Sequence, residues 1–255
     1  MTKVPAVLAA LVLSVAGCSK PAETPRGAAQ DAPMAMKESP NASAPAEGRE
    51  DADFGLRLAL LEGHLMVGRE LIEAGQTQNA LPHFGHPVRE LYGDLAPVIE
   101  ARHGAQFRND LVLLETTAGL QPNTETFRTR FAAAMAKTHA ARGLIPEAVA
   151  SSDAYTLQLV SDIATTASQE YRNALIAGKI GSLVEYHDAR GFMAYTTALL
   201  KDHAASADPK MKDAIATVAR LMAMVAPLDA PNPPLATDTQ FEAEAAHLRD
   251  LVKAH

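Results

Sequence analysis

SDAYTLQLVSDIATTASQEYRNALIAGKIGSLVEYHDARGFMAYTTALLKDH, residues Ser152–His203, is the stretch whose reading decides the fold. Apolar residues recur along it every three or four positions, the spacing that lines one face of a helix, and strand-like alternation is absent. The pattern predicts a long helix from about Ser152 to Gly178 and a second from Ile180 to His203. A tight turn at Gly178 and Lys179 is too short for anything but an antiparallel return, so the two helices pack as a hairpin.

The same periodicity extends outward in both directions. Phe54, Leu58, Leu61 and Leu65 line a first helix that stops near Gly75, and a short one follows around Gln78–Phe84. Pro87 suits the first turn of the next, which ends at Gly104 and carries Pro97 as a kink. Two more end at Gly119 and Gly143. Asp208 and Pro209 have the chemistry to cap and start a helix, and Thr237 with Gln240 fits a capping box for the last. The expected fold is all-α, an up-and-down bundle of about eight or nine helices held by ridge-and-groove packing.

The N-terminal end is organised differently. Lys3 is followed by an uncharged run, Val4–Val15, shorter than the roughly 20 apolar residues a membrane-spanning helix needs. Leu13, Ser14, Val15, Ala16 and Gly17 then precede Cys18, the single cysteine of the chain. This arrangement resembles the lipobox of bacterial lipoproteins. The resemblance implies cleavage before Cys18, acylation of its thiol and amine, and a membrane anchor of two or more acyl chains. Ser19, where that family's retention signal has aspartate, implies the outer membrane, with the body facing the periplasm. From Cys18 to about residue 50 the chain is rich in Pro, Ala, Glu and Ser, too poor in large apolar groups to offset its ordering entropy. The expected organisation is a signal peptide at 1–17, a lipidated tether at 18–50 and a helical domain at 51–255.

Composition excludes several functions. With no Trp and 5% aromatic residues, the chain is poor in the flat platforms on which sugars and bases stack, so neither ligand class is favoured. A net charge of -7 argues against nucleic acid as a partner. No phosphate-binding glycine loop, paired-cysteine metal site, zinc-protease motif or nucleophile elbow is present, and no catalytic residue is assigned.

Histidines with carboxylates nearby carry what chemistry remains. His83, His86 and Glu90 are spaced three and four apart, which aligns them on one face of a continuous helix, and imidazole with carboxylate suits iron, zinc or copper. Pro87 offers the competing reading of a helix junction, with His86 as a cap. His64 lies among Leu60, Leu61, Val67 and Leu71 and points inward; its partner must come from another helix, and the choice is between a hydrogen-bonded core histidine and a ligand. Glu185, Tyr186, His187, Asp188 and Arg190 interrupt an apolar helix, with His187 the inward candidate and Asp162 or Ser161 placed to approach it. Glu170 falls too near the turn to be level with His187. Glu185, Asp188, Arg190 and Arg172 read alternatively as a salt-bridge network.

A Gly-His pair in the first long helix and His with carboxylates in a later one resemble the imelysin-type helical envelope proteins, a family associated with iron uptake. That family's motif is Gly-x-His-x-x-Glu; here Gly63 directly precedes His64 and Val67 stands where Glu would be, so the likeness covers architecture and one dipeptide. The reading that results is a lipid-anchored helical protein binding a divalent metal ion or small ligand through some of His64, His83, His86, Glu90, Glu185 and His187. The alternative is an interaction protein with an envelope protein as partner, its histidines serving only the core. A third reading, a hydrolase, lacks a nameable nucleophile.

Overall fold

The computed structural model describes residues 46–253. Helix α1 covers Ala46–Glu73 and α2 covers Thr77–His86; a π-helical turn at Pro87–Leu91 joins α2 to α3, Tyr92–Ala101. Then come α4 (Arg108–Leu120), α5 (Glu125–Arg142), the single turn α6 (Glu147–Ala150) and α7 (Asp153–Ala174). Helix α8 (Leu183–Leu200) ends in a 3-10 turn, and α9 (Pro209–Met224) and α10 (Asp238–Lys253) complete the chain. With α2, the π turn and α3 counted as the one unbroken run they form, the described residues hold nine helices, and the all-α expectation stands.

The helix ends follow local chemistry. Asp208 accepts a hydrogen bond from the Lys210 amide at 2.9 Å, with Pro209 in the first position, where a missing N–H costs nothing. The Thr237 amide donates to Gln240 Oε1 at 2.8 Å and the Gln240 amide to Thr237 Oγ1 at 3.2 Å, a reciprocal capping box.

Helices α7 and α8 form the expected hairpin, but its turn is built differently. Helix α7 stops at Ala174, and two-residue strands β1 (Leu175–Ile176) and β2 (Lys179–Ile180) pair antiparallel. Ala177 (φ 51°) and Gly178 (φ 75°) are both left-handed, as a two-residue turn between strands requires, so the apex falls one residue before the predicted one.

Around this hairpin α10 packs on α7, α9 on α8 and α10, and α1 packs on α8 and on α2, which also touches α8. Leu58, Leu61 and Leu65 of α1, Val160 and Ile163 of α7, Phe192 of α8, Leu221 of α9 and Phe241 of α10 are all buried. Tyr171 and Phe241 stack at 4.8 Å between α7 and α10.

Helix α1 reaches back to Ala46, into the segment read as tether, and its first turns are held where buried Asp51 accepts from Arg102 at 2.6 Å. The leader, Cys18 and the tether up to residue 45 lie outside the described residues. No helix among the described residues is long and apolar enough to cross a membrane.

Candidate metal centre

Three helices converge on one carboxylate. Helix α1 contributes His64, α2 contributes His83 and His86, and α8 contributes Asp188; all four are buried. His64 Nδ1 lies 2.6 Å and His83 Nδ1 2.7 Å from the same oxygen, Asp188 Oδ1. His86 Nδ1 faces the other oxygen, Oδ2, at 3.5 Å. One ligand atom from each of the four residues lies within 4.8 Å of every other.

Glycines make the convergence possible. Helices α1 and α8 cross where Gly63 meets Gly191: a Cβ on Gly191 would stand 2.4 Å from the Gly63 carbonyl oxygen, and one on Gly63 would stand 2.7 Å from the Phe192 ring. Only bare backbone fits, and the close crossing puts His64, next to Gly63, within reach of Asp188, one turn before Gly191. Gly68 does the same for α2, since a Cβ there would stand 2.9 Å from Phe84 and 3.3 Å from the His83 Cβ.

Pro87 does not end the helix as the junction reading expected. Lacking an N–H, it shifts the hydrogen-bond pattern by one residue, and the Tyr92 amide donates to the Pro87 carbonyl across a π turn. The run stays helical, and His86 Nε2 lies 4.0 Å from Glu90 Oε1.

The electrostatics keep the Asp188 carboxylate charged and disfavour the charged forms of His83 and His187. Burial alone would push the Asp188 carboxyl up, but the His64 and His83 rings on its oxygen outweigh it and hold the group well below the usual carboxylate range. Burial lowers His83 below an ordinary imidazole despite the opposing pull of Asp188. It also lowers His187 to about 4, with a carbonyl hydrogen bond acting the other way. Neutral imidazole beside ionised carboxylate is the protonation state a metal site needs.

Several residues fall elsewhere than the sequence suggested. Glu185 stands apart from the cluster, half-buried, where Ser182 Oγ donates to it, so it is not placed as a ligand. The salt-bridge network does not form: Arg190 binds Glu70 at 2.9 Å and Arg172 faces Glu242 at 3.6 Å, which leaves Asp188 to the histidines. Asp162 is occupied by Gln158 at 2.9 Å, and burial raises it to about 6, so it is no partner for His187. Glu170 forms no hydrogen bond or ion pair with His187; it is buried on α7, and its pKa rises to about 8, chiefly by burial and then by the charges of Asp188 and Glu185. His187 is buried as predicted, but its Nε2 sits 3.0 Å from the Leu228 carbonyl while its ring stands 5.6 Å from that of His83, beside the cluster and not in it.

Asp188 is the residue that sequence reasoning misassigned. A signal was available: it lies three positions before Gly191 and four before Phe192, hence on the glycine-marked face that α1 covers.

The donor set fits a metal. Asp188 has the three histidines as its ion-pair partners and no Lys or Arg among the described residues. His64 Nε2 and His83 Nε2 are buried without hydrogen-bond partners, so protein contacts alone do not satisfy these rings. Three imidazoles and a carboxylate in a buried cluster suit Fe(II), Zn(II) or Cu(II).

Fold and site together define an all-α protein with a buried three-histidine, one-aspartate cluster. Over residues 146–254, less than half of the chain, the sequence is similar to a family described as the iron permease-associated 4-helix bundle domain. That span holds α7 to α10 and hence Asp188, whereas His64, His83 and His86 lie before it. Nothing matches the chain among curated proteins or among solved structures.

Proposed function

We propose that this chain is a metal-binding protein that holds one divalent transition-metal ion, iron first, between α1, α2 and α8 through His64, His83, His86 and Asp188. The observation that carries the reading is the approach of two imidazole nitrogens to one buried Asp188 oxygen, with a third imidazole on the other oxygen. Similarity of the C-terminal helices to an iron permease-associated domain supports iron over zinc and copper. Glu90, 4.0 Å from His86, adds a carboxylate beside the cluster. The role is binding of the ion. The lipobox-like residues before Cys18 support a lipid-anchored protein on the periplasmic side of the outer membrane.

Purified, metal-stripped chain titrated calorimetrically with Fe(II) under anaerobic conditions, and with Zn(II), tests the proposal. One ion per chain is expected, lost in His64→Ala and Asp188→Ala and retained in Glu185→Gln. Absence of binding for both metals supports the second reading, an envelope interaction protein with structural histidines. That reading draws on the two Nδ1–H donors with which Asp188 Oδ1 is hydrogen-bonded when no metal is present.

A further inference from the structure

Two neighbouring rings leave a nitrogen buried and unbonded: Nε2 of His83 and Nδ1 of His187, in residues 0% and 1% exposed. A buried polar atom with no partner forfeits its hydration and regains nothing, so such a pair demands an explanation.

Tautomers supply it. The Leu228 carbonyl can only accept, so the His187 Nε2 that lies 3.0 Å from it carries the hydrogen and Nδ1 is a bare lone pair. Asp188 Oδ1 likewise takes a hydrogen from His83 Nδ1 at 2.7 Å, which leaves the His83 Nε2 bare as well. Two bare acceptors cannot bond each other. A cation at His83 Nδ1 changes this, because a neutral ring bound through Nδ1 carries its proton on Nε2. The proton that leaves Nδ1 reappears on Nε2, with no net release, and the ring becomes a donor beside a waiting acceptor.

We infer that His187 is a positioning residue for the metal centre: with metal bound, His83 Nε2–H donates to His187 Nδ1, and His187 Nε2–H donates onward to the Leu228 carbonyl. This rests on the metal-binding reading above. Two imidazoles joined by an N–H···N bond have centroids about 5.2 Å apart. His83 and His187 stand at 5.6 Å with their planes at 74°, so the bond needs only rings already in contact to turn these two nitrogens toward each other.

The chain of bonds also reaches the segment after α9. Four successive carbonyls there are held by α8: Val225 and Ala226 by Arg190, Pro227 by Tyr186 at 2.8 Å, and Leu228 by His187. Among these three side chains His187 is the one beside the metal cluster. Bonds in series polarise one another, so occupancy of the site tightens the grip on Leu228.

The test uses the full chain, with histidine rings labelled with nitrogen-15, and Zn(II) as a diamagnetic probe. In the zinc-loaded protein, long-range proton–nitrogen spectra are expected to show His83 metal-bound at Nδ1 and protonated at Nε2. His187 is expected to be protonated at Nε2, with Nδ1 accepting. His187→Phe, which removes the acceptor, should weaken zinc binding roughly 10- to 100-fold. His187→Asn, whose side-chain carbonyl takes the place of Nδ1, should restore most of the affinity. Zinc bound through His83 Nε2, or equal affinity in His187→Phe and the unaltered chain, overturns the inference and leaves the metal site standing. Failure of the unaltered chain to bind zinc and iron removes the metal site itself, and the inference with it.

Discussion

Replacing Glu170 with Gln should make the protein more stable, by an amount that grows with pH. The carboxyl is 4% exposed, and burial together with the charges of Asp188 and Glu185 raises its pKa from 4.5 to about 8. A raised carboxyl favours the protonated form in the folded state, so its stabilising share is complete below pH 4.5 and is lost as pH climbs through 8. Ionising it fully inside the bundle costs roughly 5 kcal/mol, of which about 1 is felt at pH 5 and about 3 at pH 7. A glutamine side chain has a similar shape and no charge to bury, so these figures are the expected gains of Glu170→Gln. With roughly 200 folded residues, the gain at pH 7 corresponds to a Tm increase of about 6–12 °C. Denaturant melts of metal-free protein at pH 5, 7 and 9 read the series directly. A difference that stays flat with pH, or a variant less stable at pH 9, would refute the claim that Glu170 sits in a low-dielectric interior among like charges.

Gly191→Ala forces a methyl to within 2.4 Å of the Gly63 carbonyl; we expect a loss of about 1–3 kcal/mol in urea unfolding and weaker metal binding, because His64 and Asp188 flank that crossing. Asp188→Ala strands the Nδ1–H groups of His64 and His83 and should cost about 2–4 kcal/mol in the metal-free protein, with Asp188→Asn, which keeps an acceptor, closer to the parent; chemical denaturation separates them. The His187 pKa is depressed from 6.5 to about 4, so its stabilising share is present above pH 6.5 and drains away as pH falls to about 4, roughly 3 kcal/mol in all; an acid titration followed by circular dichroism should show that loss, and a flat stability profile between those pH values would contradict it.

What the sequence made legible is what neighbouring residues decide. The Asp208 and Thr237 caps are written within four residues of the helix starts they serve, and both formed as read. His64 and His187 were identifiable as inward-facing because of their apolar neighbours at helical spacing, and both are buried. Asp188 was legible only as a neighbour of Gly191 on one helix face, because its role depends on a crossing between α1 and α8 that brings together residues far apart in the chain. In sequence it stands in a polar string with Glu185 and Arg190, and only the Gly63–Gly191 contact decides which of the three turns inward. The π turn at Pro87 is a similar case: proline removes one hydrogen bond, and whether the helix breaks or widens is settled by packing around it, here with Pro87, Val88 and Leu91 buried. The end of α7 is read too far from periodicity alone: ideal helix extends to Gly178, whereas α7 ends at Ala174 and two short strands make the turn.

The central claim is tested most directly by anomalous diffraction at the iron edge from crystals of the Fe(II)-loaded chain. The account predicts one strong peak bounded by His64, His83, His86 and Asp188, absent in Asp188→Ala. Iron found only on the acidic surface, or nowhere, would contradict it.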